Sequence, residues 1–276
     1  MKKRVCTLVA LMALAGLVFA QSPNDFNFDI NRTFDAITIT GYTGTATRVV
    51  IPAEIEGIPV RTIGHRAFNS NRNITEVIIP DTVTTIANSP NFGAFAYASN
   101  LVSVTLSNNL EVIGDLAFRH TGLTTINLPD GLTTIGAAVF ASCPNLTSIT
   151  IPSTVTSIGR QAFVLSGLTA INLPDGLTTI SREMFRTCRN LTSITIPSTV
   201  TSIERQAFAY SGLTSITIPN SVREIDDYAF QDTRNLTIVV IEEGASIRFA
   251  NNAFSGSNLN ASIQIALRRA GYEGRF

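Results

Sequence analysis

Three cysteines (Cys6, Cys143 and Cys188) and two histidines (His65 and His120) are all that 276 residues offer as soft metal ligands and neutral-pH bases. A zinc site needs about four such ligands brought together, and no CxxC or HxxxH spacing supplies them. His65 stands before Ala67-Phe68 and His120 after Phe118-Arg119, so they differ in local context and do not read as a catalytic or metal pair. The acid pairs Asp226-Asp227 and Glu242-Glu243 are adjacent in sequence, so on a strand or turn their carboxylates diverge. General acid–base work requires convergence. No HExxH, GxSxG, P-loop or Rossmann glycine pattern occurs. The expectation is a protein without catalytic residues, metal or cofactor.

Composition narrows the remaining classes. Only 14% of residues are charged, and 20 Lys+Arg stand against 20 Asp+Glu. Average soluble domains carry about 25% charge. No basic excess exists for a phosphate backbone and no basic stripe interleaves with aromatics, so nucleic acid is not an expected partner. With 45% hydrophobic residues the chain is not of a disordered type.

The first twenty residues read as a signal peptide. Lys2, Lys3 and Arg4 precede an uncharged apolar run from Val5 to Phe19, and Val18-Phe19-Ala20 forms a small-residue cleavage site before Gln21. Cys6 lies too far upstream to become a lipid-bearing first residue. No other run is long and apolar enough to cross a membrane, so no membrane span is expected after cleavage. Cleavage removes Lys2 and Lys3, the only lysines, and leaves 17 arginines against 20 acids. The exported chain is then mildly acidic, with guanidinium as its only fixed side-chain cation.

The dominant signal is repetition. Residues 123–167 and 168–212 are both 45 long and identical at 34 positions, including INLPDGLTTI and NLTSITIPSTVTSI. Phenylalanine recurs at 68, 95, 118, 140, 163, 185, 208, 230 and 254, with gaps of 22 to 27. A period in the low twenties belongs to leucine-rich repeats. In each unit the I-x-I core alternates with period two, placing Ile149 and Ile151 inward and Ser148 and Thr150 outward. Pro129, Pro152, Pro174, Pro197 and Pro219 end these strands, since proline offers no N–H to the ladder. Val155 and Ile158 fill the next side. Arg160-Gln161-Ala162-Phe163 reads as one helical or 3-10 turn with Phe163 packed beneath. Units close with Asn145, Asn190 or Asn235, or with Gly122, Gly167 or Gly212, which suggests a positive-φ position.

The motif I-x-I-P-x-x-V-x-x-I-x-x-x-A-F, as it stands in residues 149–163, 194–208 and 216–230, resembles the BspA-like leucine-rich-repeat proteins of bacterial surfaces. The resemblance runs from about Val49 to Leu259. It implies a right-handed solenoid, here of about nine coils of 22–23 residues, used in adhesion to host matrix, host cells or other bacteria. Residues 21–48, with one degenerate strand Ile37-Thr38-Ile39, read as an N-terminal cap. Residues 260–276, with Ile265, Leu267, Arg268 and Arg269 at helical spacing, read as a C-terminal cap, because terminal repeats have an uncovered face.

Two surfaces are candidates for binding a protein ligand. The first is the strand face, whose outward residues are Ser103 and Thr105, Thr125 and Asn127, Ser148 and Thr150, Ala170 and Asn172, Ser193 and Thr195, then Ser215 and Thr217. Such residues also simply suit exposed strands, but a face of about nine strands spans roughly 40 Å, enough for a protein interface. The second is an insertion, Asn88, Ser89, Pro90, Asn91 and Phe92, where Ile86 and Phe95 stand four residues further apart than Ile158 and Phe163. Charges gather at the turn before each Phe, at Arg160, Arg182-Glu183, Glu204-Arg205 and Asp226-Asp227, as a solvated side. Cys143 and Cys188 sit two coils apart, about 10 Å along the axis, too far for a disulfide, so two free, half-buried thiols are expected. Asn31, Asn73, Asn145 and Asn190 match the glycosylation sequon, most of these matches being a by-product of the N-L-T repeat, and glycosylation is not expected. The expected function is that of an exported, non-enzymatic binding protein: a secreted or cell-surface adhesin, or alternatively a periplasmic or envelope scaffold.

Overall fold

A residue that recurs every 22–23 positions meets its own counterpart when the chain is wound with that period, and this is how the protein is built. The computed structural model describes residues 20–276. The signal-peptide reading falls on residues 1–20 and, Ala20 apart, lies outside them. The chain is a β-solenoid of about nine coils whose front and side segments line up in parallel rows, the front segments around Asn127 and Thr150 being isolated bridges rather than strands. In the front row Val49 pairs with Val77 and Val77 with Val104; further along Ile171 pairs with Ile194 and Ile216 with Val239. In the side row Ile63, Ile86, Ile113, Ile135 and Ile158 follow in register, and Ile180, Ile203 and Ile225 continue it as a separate sheet ending at Phe249. Proline follows the front segments at 129, 152, 174, 197 and 219 as expected, whereas Ser107 and Glu242 take its place after Ser103–Thr105 and Ile238–Ile241. The proline carbonyl accepts the next turn, as where Val155 N–H donates to Pro152 O at 3.1 Å.

The third side of the coil is a column of rings. The nine phenylalanines from Phe68 to Phe254 are at most 1% exposed, with successive centroids 4.9–5.8 Å apart and planes within 4–10° of parallel. Tyr42 starts the column 5.6 Å from Phe68, and Tyr272 closes it edge-on to Phe254 at 5.4 Å.

The segment around each Phe departs from the helical turn expected of it. At seven of the nine rings the residues two before and two after take positive φ, as in 61° at Gln161 and 58° at Leu165, then 57° at Glu183 and 61° at Thr187; Gly93 and Asn252 are the exceptions. This alternation turns three N–H groups of one coil toward the next: Gln161, Phe163 and Leu165 donate to the carbonyls of Arg182, Met184 and Arg186 at 2.9, 3.0 and 3.1 Å. A helical turn would spend those donors inside its own coil and leave the stack unbonded.

The turn closures also differ from expectation. Neither Gly122, Gly167 and Gly212 nor Asn145, Asn190 and Asn235 have positive φ. The glycines answer a close approach instead. A Cβ on Gly167 would lie 2.0 Å from Pro144 O, and one on Gly212 would lie 2.1 Å from Arg189 O. Glycine stands there because the preceding coil leaves no room for a methyl group.

At the first end, a short 3-10 turn (Pro23–Asp25) leads into strand Phe26–Ile30, which pairs antiparallel with Ile37–Tyr42. Only the second of these strands is evident from its pattern. At the other end helix α1 (Ala261–Arg269) forms as the spacing predicts, capped by Asn260, whose side-chain oxygen accepts from Ile263 N–H. It buries Ile263 and Leu267 and leaves Ile265 52% exposed.

Candidate functional site: an uncharged strand face

The front row presents the predicted outward residues together and in order. Ser103 and Thr105, Thr125 and Asn127, Ser148 and Thr150, Ala170 and Asn172, and Ser193 and Thr195 are exposed; Thr217 is exposed and Ser215 partly so. Their registers run Asn127↔Thr150↔Asn172↔Thr195 along one column and Ala170↔Ser193 along the other. The period-two pleat fixes this, because isoleucine at each intervening position turns inward and carries its neighbours outward. Among the described residues none of these hydroxyls and amides forms an intramolecular hydrogen bond.

That freedom contrasts with the threonines one position outside the strand. Thr75, Thr169, Thr214 and Thr237 each donate a hydroxyl to the carbonyl of the equivalent threonine one coil earlier, at 3.1–3.3 Å. Thr154 and Thr199 likewise reach back to Leu132 O and Leu177 O at 2.7 Å. These threonines fasten coils, a role that sequence reading missed, although the repeated N-L-T and S-T-V tripeptides carry the signal. The same residue type therefore serves two purposes, separated by whether a carbonyl of the previous coil lies within reach.

The face is not uniform along its length. Its first rows hold an ion pair, Arg48 Nε to Glu76 Oε2 at 2.9 Å. Between the strand Ser103–Thr105 and residues 125–127 no strand pairing forms, and a polar cleft of about 470 Å³ opens there, lined by Ser103, Thr105, Asn108, Thr125, Asn127 and Asp130 among others. At the far end the outward positions become Ile238 and Val240, 54% and 47% exposed.

The insertion stands elsewhere. It follows the side strand Thr85–Ile86 and is partly built into the coil. Asn88 accepts from Asp115 N–H at 3.1 Å, Ser89 is buried, and Gly93 packs so closely that a Cβ would lie 1.9 Å from Leu116 O. Pro90, Asn91 and Phe92 remain exposed, with the Arg66 guanidinium 3.4 Å above the Phe92 ring. The two candidate surfaces thus belong to different sides of the coil.

The reactive side chains are kept apart. His65 is exposed, while His120 stacks on Tyr97 at 4.8 Å, and burial with the neighbouring Arg119 charge holds it below the usual imidazole range. No group of three metal-ligating side chains occurs among the described residues. Cys143 and Cys188 are free, but fully rather than half buried. Their thiols donate to Phe118 O and Phe163 O at 3.1 and 3.0 Å. Ser166, bonded to Cys188, occupies the coil between them. Burial raises the Cys143 thiol and pushes Cys188 up to about 11.

Glu183, expected on a solvated side, is only 7% exposed. Gln161 Nε2 donates to its Oε2 at 2.9 Å and Arg182 Nε to its Oε1 at 3.0 Å, with Arg186 3.8 Å away. Burial pushes its carboxyl up, but these hydrogen bonds and the Arg182 and Arg186 charges prevail and hold it below the usual carboxylate range. Its place is a strap between coils.

No helix among the described residues is long and apolar enough to cross a membrane. No curated protein matches the chain. Among solved structures it is similar to the T. pallidum leucine-rich-repeat protein TpLRR, at 24% identity and TM-score 0.62, covering 94% of this chain and 99% of that one. It is similar to a leucine-rich-repeat protein from Bacteroides ovatus at 19% identity and TM-score 0.60, covering 87% and 81%. It also resembles a leucine-rich cell-surface protein from Faecalibacterium prausnitzii at 25% identity and TM-score 0.52, covering 88% and 87%. The family model for the BspA type leucine rich repeat region matches in six copies over residues 19–146, 61–188 and 156–267. With coil length, inward isoleucines and ring column all in that pattern, the chain belongs to the BspA-type leucine-rich-repeat family.

Proposed function

We propose that the chain is an exported, non-enzymatic adhesin that displays its front row to a protein on host matrix, host cells or other bacteria. The observation that carries this reading is the set of front-row hydroxyls and amides left free of internal hydrogen bonds, while neighbouring threonines of the same repeat are bonded. A preformed flat array of donors and acceptors on a rigid stack loses little entropy on binding. Similarity to a leucine-rich cell-surface protein supports display outside the cell. The separation of the histidines, thiols and carboxylates supports binding over catalysis.

The test is capture of matrix proteins, host cells and bacteria by the purified chain, repeated with Ser148→Arg/Thr150→Glu on the face and with Phe92→Ser in the insertion. The reading expects the face variant to lose capture by roughly tenfold or more, since charge at the centre of an interface is costly. Equal capture by the face variant with loss in Phe92→Ser transfers the site to the insertion. Failure of all three proteins to bind any of the surfaces abandons the adhesin. Protease protection of the chain on intact cells would favour the periplasmic or envelope scaffold instead.

A further inference from the structure

The two ends of the front row are finished differently. At the first end the edge strand is Arg48–Val50, and Gln21 lies along it. The Gln21 N–H donates to Val50 O and its Nε2 to Arg48 O, both at 3.0 Å, while its Oε1 accepts from Val50 N–H. That edge is sealed. At the far end the strand Ile238–Ile241 pairs with Ser215–Ile218 in the register Ser215↔Ile238 to Ile218↔Ile241. This pairing uses the N–H and C=O of Ile238 and Val240, since alternate residues of a parallel strand bond to opposite sides. The N–H and C=O of Val239 and Ile241 and the carbonyl of Thr237 therefore point outward, and they bond nothing among the described residues. Behind them a notch of about 330 Å³ opens toward Ala266 and Arg269 of α1 and Ala270 just after it. The exposed edge reads Ile-Val-Val-Ile, with no charge, proline or glycine to discourage pairing.

We propose that Ile238–Ile241 is a dimerisation strand that pairs antiparallel with the same strand of a second copy, about a two-fold axis at Val239. Three observations select a second copy and this register. First, Gln21 closes the opposite edge, so head-to-tail stacking lacks an acceptor and only a tail-to-tail, isologous contact is open. Second, antiparallel partners share a face, so the axis must fall on a residue rather than between two. Val239 is the residue whose N–H and C=O are both free near the strand centre. The two Val239 residues then exchange two hydrogen bonds, and each Ile241 N–H meets the free Thr237 carbonyl of the second copy. Ile238 lies opposite Val240 on the front, covering both exposed side chains. Third, the same axis brings Glu243, just past one end of the strand, toward Arg234 just before the other end in the second copy. Arg234 Nη2 already pairs with Asp232 at 3.0 Å, but its side chain stays 77% exposed and can turn to a second carboxylate, and symmetry repeats this attraction. Centring on Val240 would oppose groups already bonded to Ser215–Ile218. Centring on Ile241 would set Glu243 against Val239.

The test is sedimentation of the purified chain over a concentration series, with circular dichroism as the folding control. A contact of this size is in the weak class, so dimer is expected to appear reversibly as the concentration rises through the series. Val240→Lys, half-exposed and on the edge, should keep the fold and weaken association roughly tenfold or more. Arg234→Glu and Glu243→Arg should each weaken it, and their combination should restore it. A chain that stays monomeric, a Val240→Lys dimer of unchanged affinity, a double variant without recovery, growth into open-ended polymers, or pairing only with a foreign β-strand peptide would each overturn the proposal.

Discussion

Phe163→Ala should be among the most damaging single truncations in this protein. Phe163 is 0% exposed, and its ring lies 5.8 Å from Phe140 and 5.5 Å from Phe185, within 9° and 4° of parallel. Removing a buried phenylalanine costs about 3–5 kcal/mol, because transfer energy is lost and a cavity remains. Here the cavity cannot easily collapse. Each coil is fixed by donors from Gln161, Phe163 and Leu165 to the next coil, so the backbone cannot close around the gap. The cost should therefore fall in the upper half of that range, about 4 kcal/mol, a large part of the 5–15 kcal/mol of a typical domain. The site is central, and in a solenoid each repeat is held only by its neighbours, so unfolding should also become less cooperative. The assay is urea unfolding followed by circular dichroism, with Phe34→Ala, 73% exposed, as a near-neutral control. Stacking adds a second, separable test. Phe163→Leu and Phe185→Leu should be non-additive by about 0.5–1.5 kcal/mol, the usual worth of an aromatic pair. A Phe163→Ala cost below about 2 kcal/mol, or strict additivity of the two leucine variants, would refute the account of a rigid ring column.

Cys143 and Cys188 should resist a thiol reagent at pH 8 in the native chain and react fully in denaturant, since burial keeps them protonated and Cys188 titrates near 11; unreduced mass spectrometry that joined the two would contradict the coil register. Glu183 has a folded pKa below its unfolded value, so its contribution to stability is complete above the ordinary carboxylate range and fades as pH falls through the lowered folded pKa. Glu183→Gln should accordingly be less stable than the native chain at pH 7, with the difference shrinking toward pH 3. Parallel melting curves at the two pH values check this, and an unchanged gap would show that the carboxylate charge does not strap the coils.

Much of this protein is legible from one dimension. Spacing alone determines the coil, because a solenoid converts a sequence period directly into spatial neighbours: residues that recur must stack. The strand face follows from the I-x-I pleat, and the free thiols from the two-coil separation of Cys143 and Cys188, both without coordinates. Legibility fails where the deciding contact lies between coils and has no period of its own. Glycine at 122, 167 and 212 suggests backbone freedom, yet the neighbouring coil's carbonyl 2.0–2.5 Å from the missing Cβ is what demands it. The helical pattern at Arg160–Phe163 yields to alternating φ because the next coil offers carbonyls that a helix could not reach.

The ends were the least readable part, since each is unique and no repeat calibrates it. Tyr42, Tyr272 and Gln21 look ordinary in the sequence, and only the folded chain sets two of them on the ring column and one along an open strand. For the candidate site the same division holds. The sequence determined which small polar residues face outward, through the two-residue period of a strand. Only the tertiary structure decided which hydroxyls are already bonded, because that depends on the distance to a carbonyl one whole coil away.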